Sequence, residues 1–289
     1  MNDDQITEPN QNAIIDNLPS DVYFKLDRMS KHRLDRFAEN PWKFFQPQPP
    51  QPTPSAAITF GCAAHSAILT PDLFLREFIA QPPEIKVRRG NAWKAFLREQ
   101  AQCKTIISQA DMELCMRLHE LVNQTSLGSI LRLCTRREVS VLWTDALSGV
   151  KLKARLDAID PESETIAELK TCQSCRADAF MGEADTFGYD VQAAMYCDAL
   201  RACGKHIKGV AFLCVEKAEP ISVAVHWFDP ESDFIEAGRL HYQRELALYS
   251  AYIRGNEPSL MTRELPVTKN LPPVAWSKRY REWKALKNG

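Results

Sequence analysis

The sequence predicts an α/β fold, a mixed central sheet flanked by helices, with a helical extension on its N-terminal side. Two observations carry this. Apolar residues recur with helical spacing through the first half of the chain, then switch to strict alternation from Glu138 onward. After that switch, a strand, a helix and a fully apolar strand follow in order between Thr165 and Val215, the signature of a right-handed crossover between parallel strands.

At 289 residues and 45% apolar, the chain can bury a full core, and a single domain is expected over 29–289. Its helical part should cover 29–135 and its sheet core 136–255. Residues 1–28 carry few apolar groups and are expected to form a mobile tail, with ordered structure beginning near Met29. Lys plus Arg (36) balance Asp plus Glu (37), which excludes a histone-like coating protein and requires any nucleic-acid affinity to come from a local basic face. Nine cysteines, an odd number, do not read as a secreted disulfide framework. The acidic N-terminus lacks the pattern of a signal peptide, and no apolar run approaches the roughly 20 residues of a membrane span. A cytoplasmic protein without membrane association is expected.

Ser30 caps a short helix that Asn40-Pro41 stops, and Gln46–Pro54 is a proline-rich connector. Ala56–Leu69 is apolar nearly all round, so it reads as a buried helix in which His65 is the polar exception. Helical patterns follow near 91–107 and 110–123. Strands are expected over Glu138–Trp143, Val150–Ile159 and the run TIAELKT from Thr165. The tight turns DALSG and DPESE separate them. A helix near 188–203 ends at Gly204. The strand GVAFLCV (209–215) follows, then an edge strand ISVAVHWF (221–228) and a helix from about 231 to 253.

The polar face of the three-strand meander is the expected catalytic side. Alternation places Leu152, Ala154, Leu156 and Ala158 on one face and Lys151, Lys153, Arg155 and Asp157 on the other. If Asp160 faces Thr165 across the DPESE turn, Asp157 lies opposite Glu168, with Lys170 one step along the same face. Two adjacent carboxylates repel unless a cation lies between them. An oxygen-rich set that includes the Leu169 backbone carbonyl suits Mg²⁺, with Mn²⁺ able to substitute. Such an ion activates water and offsets charge on a scissile phosphate, while Lys170 orients the water. Lys151, Lys153 and Arg155 would hold neighbouring phosphates. Taken alone, the same alternation also describes an ordinary wet sheet face. His65 reads either as a hydrogen-bonded core histidine or as a metal ligand. Gln192 and Tyr196 share a helix face at i and i+4, and Glu138 reads as a carboxylate supporting the site or as a surface residue.

With these residues assembled, the chain resembles the RecE-type exodeoxyribonuclease VIII group of phage recombination nucleases within the PD-(D/E)xK superfamily. It is more distantly similar to lambda exonuclease and the RecB nuclease domain. The motifs that carry the resemblance are SKHRLDRFAENPWKFF, FGCAAHSAIL, LKARLDAI, AELKT and DVQAAMY, in that order. The resemblance implies a restriction-endonuclease-like core and a metal set of His65, Asp157, Glu168 and the Leu169 carbonyl. It also gives Lys170, Gln192 and Tyr196 catalytic roles. The implied activity is Mg²⁺-dependent hydrolysis of DNA from duplex ends, with 5′ to 3′ polarity, in recombination or repair. A ring-shaped homo-oligomer and a single-strand annealing protein as partner are further implications. An endonuclease or single-strand-specific nuclease on the same core, and a non-catalytic DNA-binding protein, are the competing readings. Cys172 and Cys175 read as ordinary thiols, and no iron–sulfur cluster is expected because no cysteine follows Cys214.

Overall fold

The computed structural model describes residues 11–47, 53–102, 104–217 and 219–255. The first part of the chain comprises β1 (Ala13–Ile15), α1 (Ser20–Lys25), α2 (Lys31–Glu39), α3 (Pro41–Phe44), α4 (Ala56–Leu69), α5 (Pro71–Glu77), β2 (Phe78–Ala80), α6 (Gly90–Glu99), β3 (Thr105–Ile107), α7 (Gln109–Asn123) and α8 (Ser126–Leu133). The second comprises β4 (Arg136–Thr144), β5 (Lys151–Asp160), β6 (Thr165–Cys172), α9 (Ala177–Phe187), α10 (Tyr189–Ala202), β7 (Gly209–Glu216), β8 (Val223–Phe228) and α11 (Asp233–Ile253).

Six strands form one mixed sheet in the order β1-β4-β5-β6-β7-β8. β4, β5 and β6 meander antiparallel, β7 lies parallel to β6 after the α9–α10 crossover, and β8 closes the edge antiparallel. This is the mixed α/β sheet that the period switch predicts. One face carries a core of Phe37, Leu152, Leu156, Ile166, Met195, Phe212 and Tyr242, covered by α2, α10 and α11. The other carries Ala64, Leu118, Leu127, Ala158, Leu169 and Leu213, covered by α4, α7 and α8.

Serine caps set the helix starts. The side chains of Ser30, Ser55 and Ser108 accept the backbone N–H of Arg33, Ile58 and Asp111, satisfying donors that a first helical turn leaves open. Asn40 ends α2 and caps α3 through its bond from the Lys43 N–H, with Pro41 at the first helical position.

Several expectations need correction. Within the expected tail of 1–28, the chain from Ala13 is built into the fold, whereas residues 1–10 lie outside the described residues. β1 pairs with β4, and Met29 exchanges backbone hydrogen bonds with Lys151 and Lys153. The helix expected over 91–107 ends at Glu99, because the β-branched run Thr105–Ile107 pairs in parallel with β2. The connector Gln46–Pro54 falls partly outside the described residues. Among the described residues, no helix is long and apolar enough to cross a membrane.

α10 carries two of the expected site residues, and α11 fixes its position. A Cβ at Gly238 of α11 would lie 2.3 Å from the backbone carbonyl of Asp190, so only glycine permits this crossing. Gly238→Ala should destabilise the protein by about 2–3 kcal/mol, the cost of forcing packed backbones apart. Denaturant unfolding measures this, and a loss below about 0.5 kcal/mol would contradict the crossing.

Candidate active site

The site begins at a fault in the sheet. β4 and β5 keep one register along their length, but the pair expected between Glu138 and Asp157 is missing. Glu138 there has a φ of 49°, in the left-handed region that an ordinary residue rarely adopts. On the other side, β5 and β6 pair as the turn predicts, from Asp160 opposite Thr165 to Ala158 opposite Ala167, and then stop. Asp157 therefore lies in the expected register but beyond the ladder. Its Oδ2 accepts the Leu169 N–H at 2.8 Å, taking the place of a backbone carbonyl.

The fault also corrects the facial assignment. Leu156 belongs to the core under α10, but Ala158 belongs to the opposite core, so the alternation slips at Asp157. Asp157 itself is 9% exposed and meets His65 of α4, the helix whose residues share a cavity with Arg155.

The expected residues converge around this fault. His65, from α4, places Nδ1 3.6 Å from Asp157 Oδ2. Glu168 is 3% exposed, and its Oε1 accepts hydrogen bonds from Lys170 Nζ at 3.1 Å and Gln192 Nε2 at 2.6 Å. Lys170 Nζ also donates to Gln192 Oε1 at 2.8 Å and sits 4.6 Å from the Tyr189 ring centroid. Gln192 donates to the Tyr196 hydroxyl, which itself donates to the Arg155 carbonyl. The i, i+4 pair of α10 thus connects the Glu168–Lys170 pair to β5.

Electrostatics at the fault are unfavourable without a positive partner. Burial, followed by the charge of Asp157, pushes the Glu168 carboxyl up to about 7. Burial raises Asp157 to about 6 against the opposing pull of Lys170, and raises Glu138 to about 7 with Asp157 adding to the shift. Burial and the Lys170 charge lower His65 to about 4, so its imidazole is neutral near pH 7 and able to act as a ligand. Glu168 Oε2 is buried without a hydrogen-bond partner among the described residues. An oxygen left in that state costs about 1–3 kcal/mol.

That orphaned oxygen, beside a second carboxylate and a neutral imidazole, is the donor chemistry a divalent cation requires. The Leu169 carbonyl adjoins His65 as a further oxygen. No group of three or more His, Cys, Asp or Glu side chains among the described residues is preset at metal-ligand spacing. The reason lies in the hydrogen bonds: Asp157 and Glu168 each commit one oxygen to protein donors, so side chains must turn to admit an ion. The residues fit the cation by chemistry, with rearrangement.

A cavity of about 750 Å³ opens beside His65, lined also by Ser66, Glu77, Arg137, Glu138 and Arg155. The basic residues expected to grip phosphates fare differently there. Lys153 is 4% exposed, and its ammonium donates to the carbonyls of Tyr23 and Leu26, closing the end of α1. That ammonium is withheld from phosphate. Lys151 is exposed but six residues along β5 from Asp157, about 20 Å at the rise of a strand. Arg155 does reach the cavity, anchored by Ser20 Oγ at 2.8 Å and by the Leu18 carbonyl.

Sequence reasoning missed Arg137 and Glu77. Arg137 donates to the carbonyls of Leu131 and Cys134 at the end of α8, which aims it at the cavity. Glu77 accepts from Ser66 Oγ at 3.0 Å. Neither carries a local signal: Arg137 looks like one more strand-edge charge, and Glu77 ends the short helix α5, whose only mark is Pro71 at its start.

No curated protein matches the sequence. A structure from Eubacterium rectale described as a "Putative exonuclease" superposes with a TM-score of 0.59 at 15% identity. The match covers 88% of this chain and 96% of that one, and shows a shared fold. The structure of SSO0001 matches over 76% of this chain and 85% of its own at 13% identity, with a TM-score of 0.31 that carries no argument. Over residues 41–262, a span holding the carboxylates, the lysine and the histidine at the sheet fault, the sequence matches the family described as a PDDEXK-like domain of unknown function (DUF3799), and the chain belongs to that family.

Proposed function

We propose that this protein is a Mg²⁺-dependent deoxyribonuclease that hydrolyses phosphodiester bonds inward from duplex ends. The observation that carries the reading is the pair of buried carboxylates, Asp157 and Glu168, with the half-buried His65 beside Asp157. Lys170 is locked beside the pair by Glu168 and Gln192, at a cavity bordered by Arg137 and Arg155. Buried like charges repel unless a positive partner lies between them, which is what a cation would supply here. The PD-(D/E)xK resemblance supports the same chemistry. Digestion from ends, 5′ to 3′ polarity, ring assembly, an annealing partner and a role in recombination rest on the RecE-type resemblance alone and are part of the proposal.

Asp157, Glu168, His65 and the Leu169 carbonyl would hold the ion, with Mn²⁺ able to substitute. When bound, it supplies Lewis-acid stabilisation of charge on the scissile phosphate. Lys170 orients the attacking water and faces the developing negative charge. Gln192 holds Lys170 and Glu168 in mutual register, and Tyr196 secures Gln192 against β5. Arg155 and Arg137 would position the flanking phosphates, a role in which Lys151 and Lys153 do not take part. Glu138, protonated or ionised near neutrality, would tune the charge of the cavity.

Digestion of linear, nicked-circular and closed-circular duplex DNA, with Mg²⁺ or with chelator, tests the activity. Loss of the linear form alone, and only with Mg²⁺, is expected. Cutting of circles would replace the exonuclease with an endonuclease, and no cleavage with Mg²⁺ or Mn²⁺ would contradict a nuclease. Lys170→Ala and Glu168→Gln should each lower cleavage by about 10²–10³-fold, the usual cost of losing an aligned electrostatic group. Circular dichroism should show both variants folded.

The raised carboxyl groups also predict a pH dependence. A group whose folded pKa is raised stabilises the fold below its unfolded value and loses that contribution as pH rises through the folded value. For Asp157, Glu138 and Glu168 that loss runs through about 6 to 7. His65, lowered to about 4 from 6.5, opposes them only below pH 6.5. With chelator present, the Tm should therefore fall between pH 6.5 and pH 8, and Asp157→Asn should flatten that fall. A wild-type Tm that rises across the window would contradict the assigned electrostatics.

A further inference from the structure

β6 does not end at Lys170. Alternation along the strand places Cys172 on the face of Glu168 and Lys170, and the parallel register sets Cys214 of β7 beside Lys170. The loop that follows brings Cys175 back to this position, with its sulfur 3.5 Å from that of Cys172. That loop is held in place. The Cys175 N–H donates to Glu216 Oε1 at 2.8 Å, its carbonyl meets His226 Nε2 at 3.1 Å, and its thiol donates to the Ser222 carbonyl at 3.3 Å. The spacing of cysteines in the sequence shows only a lone CxxC. The fold adds Cys214 as a third thiol.

The three sulfurs are unequal. Contacts with the sulfurs of Cys175 and Cys214 hold the Cys172 sulfur far below the usual thiol range, to about 4. Those same contacts, with burial, push Cys175 and Cys214 up. Cys115, Cys134 and Cys197 differ, since burial in apolar surroundings raises their thiols and keeps them inert. Cys172 thus combines thiolate character with a neighbouring thiol already in contact, the arrangement of an attacking and a resolving cysteine.

We propose that Cys172 and Cys175 form a reversible disulfide, a modification site at the end of the strand that carries Glu168 and Lys170, with a small hydroperoxide as oxidant. The Cys172 thiolate takes one oxygen from hydrogen peroxide and displaces hydroxide, giving a sulfenic acid. The Cys175 sulfur then displaces that oxygen, closing the S–S bond and releasing water. Two thiols and one peroxide become one disulfide and two waters, so electrons and protons balance. The sulfurs must close from 3.5 Å to about 2.05 Å. Residues 173–176, which lie between β6 and α9 outside regular structure, can absorb that movement. With Cys172 and Cys175 only 3% and 6% exposed, a small peroxide reaches the site more readily than a bulky disulfide reagent. The proposal does not depend on the nuclease reading.

The test treats the reduced, full-length protein with a few equivalents of hydrogen peroxide, then denatures, alkylates and digests it with trypsin. Cleavage after Lys170 and Arg176 releases one peptide, Thr171–Arg176, that contains both cysteines. It should be recovered unalkylated and two hydrogens lighter, and doubly alkylated if reductant precedes alkylation. In Cys175→Ser, Cys172 should instead be trapped as its sulfenic acid by dimedone. Full alkylation of both wild-type cysteines at a dose that oxidises the exposed Cys62 would overturn the proposal. Conversion of Cys172 to sulfinic acid with no disulfide would overturn it as well.

Discussion

The hydrogen bond from the Leu169 N–H to the Asp157 carboxylate is the interaction on which the site depends. In a continuous ladder, Leu169 would bond a backbone carbonyl of β5 rather than a side chain. The left-handed backbone of Glu138 removes one rung between β4 and β5, and the β5–β6 ladder stops in the same place. The side chain of Asp157 fills the gap. This draws it beside His65 from one helical layer, while Glu168 and Lys170 engage Gln192 from the other. A local fault in the sheet thus lets groups from both sides of the core meet.

Among the described residues, Glu168 Oε2 is the one fully buried side-chain atom of the site left without a hydrogen-bond partner. Lys170 offsets part of the negative charge, and the rings of Tyr189 and Phe212 confine it beneath the carboxylate. Burial is the main reason all three carboxyl groups retain protons to unusually high pH, and the charge of Asp157 adds to it at Glu168 and Glu138. A divalent cation would exchange those protons for an ion and give Glu168 Oε2 its partner. The shape of α10 matters for the same reason. Its close crossing with α11 at Gly238 sets where Gln192 lies, and Gln192 sets where Lys170 lies.

The meander, the crossover and the register of the DPESE turn were legible in the sequence because half-buried strands impose a period of two and a tight turn fixes pairing. That register placed Glu168 and Lys170 on one face, and helical spacing put Gln192 and Tyr196 together on another, but only the family resemblance joined the two pairs. The slip at Asp157 was not legible, since nothing in LKARLDAI distinguishes a fault from a regular strand. Nor was the fate of Lys153, whose ammonium serves carbonyls of α1, a helix with six residues and no periodic pattern to reveal it. α8 was hidden by Gly128, which suggests a loop but permits the helix to approach the backbone of Val122 and Asn123. Short elements such as β1 exist through their partners rather than their own propensity.

Calorimetric titration of the metal-free protein with Ca²⁺ or Mn²⁺ at pH 8, compared with Asp157→Asn, tests most directly whether the sheet fault is a cation site. Saturable binding by the wild type, lost or weakened at least about tenfold in the variant while its fold is retained, is the predicted result. Equal binding by the two proteins, or none by the wild type, would contradict it.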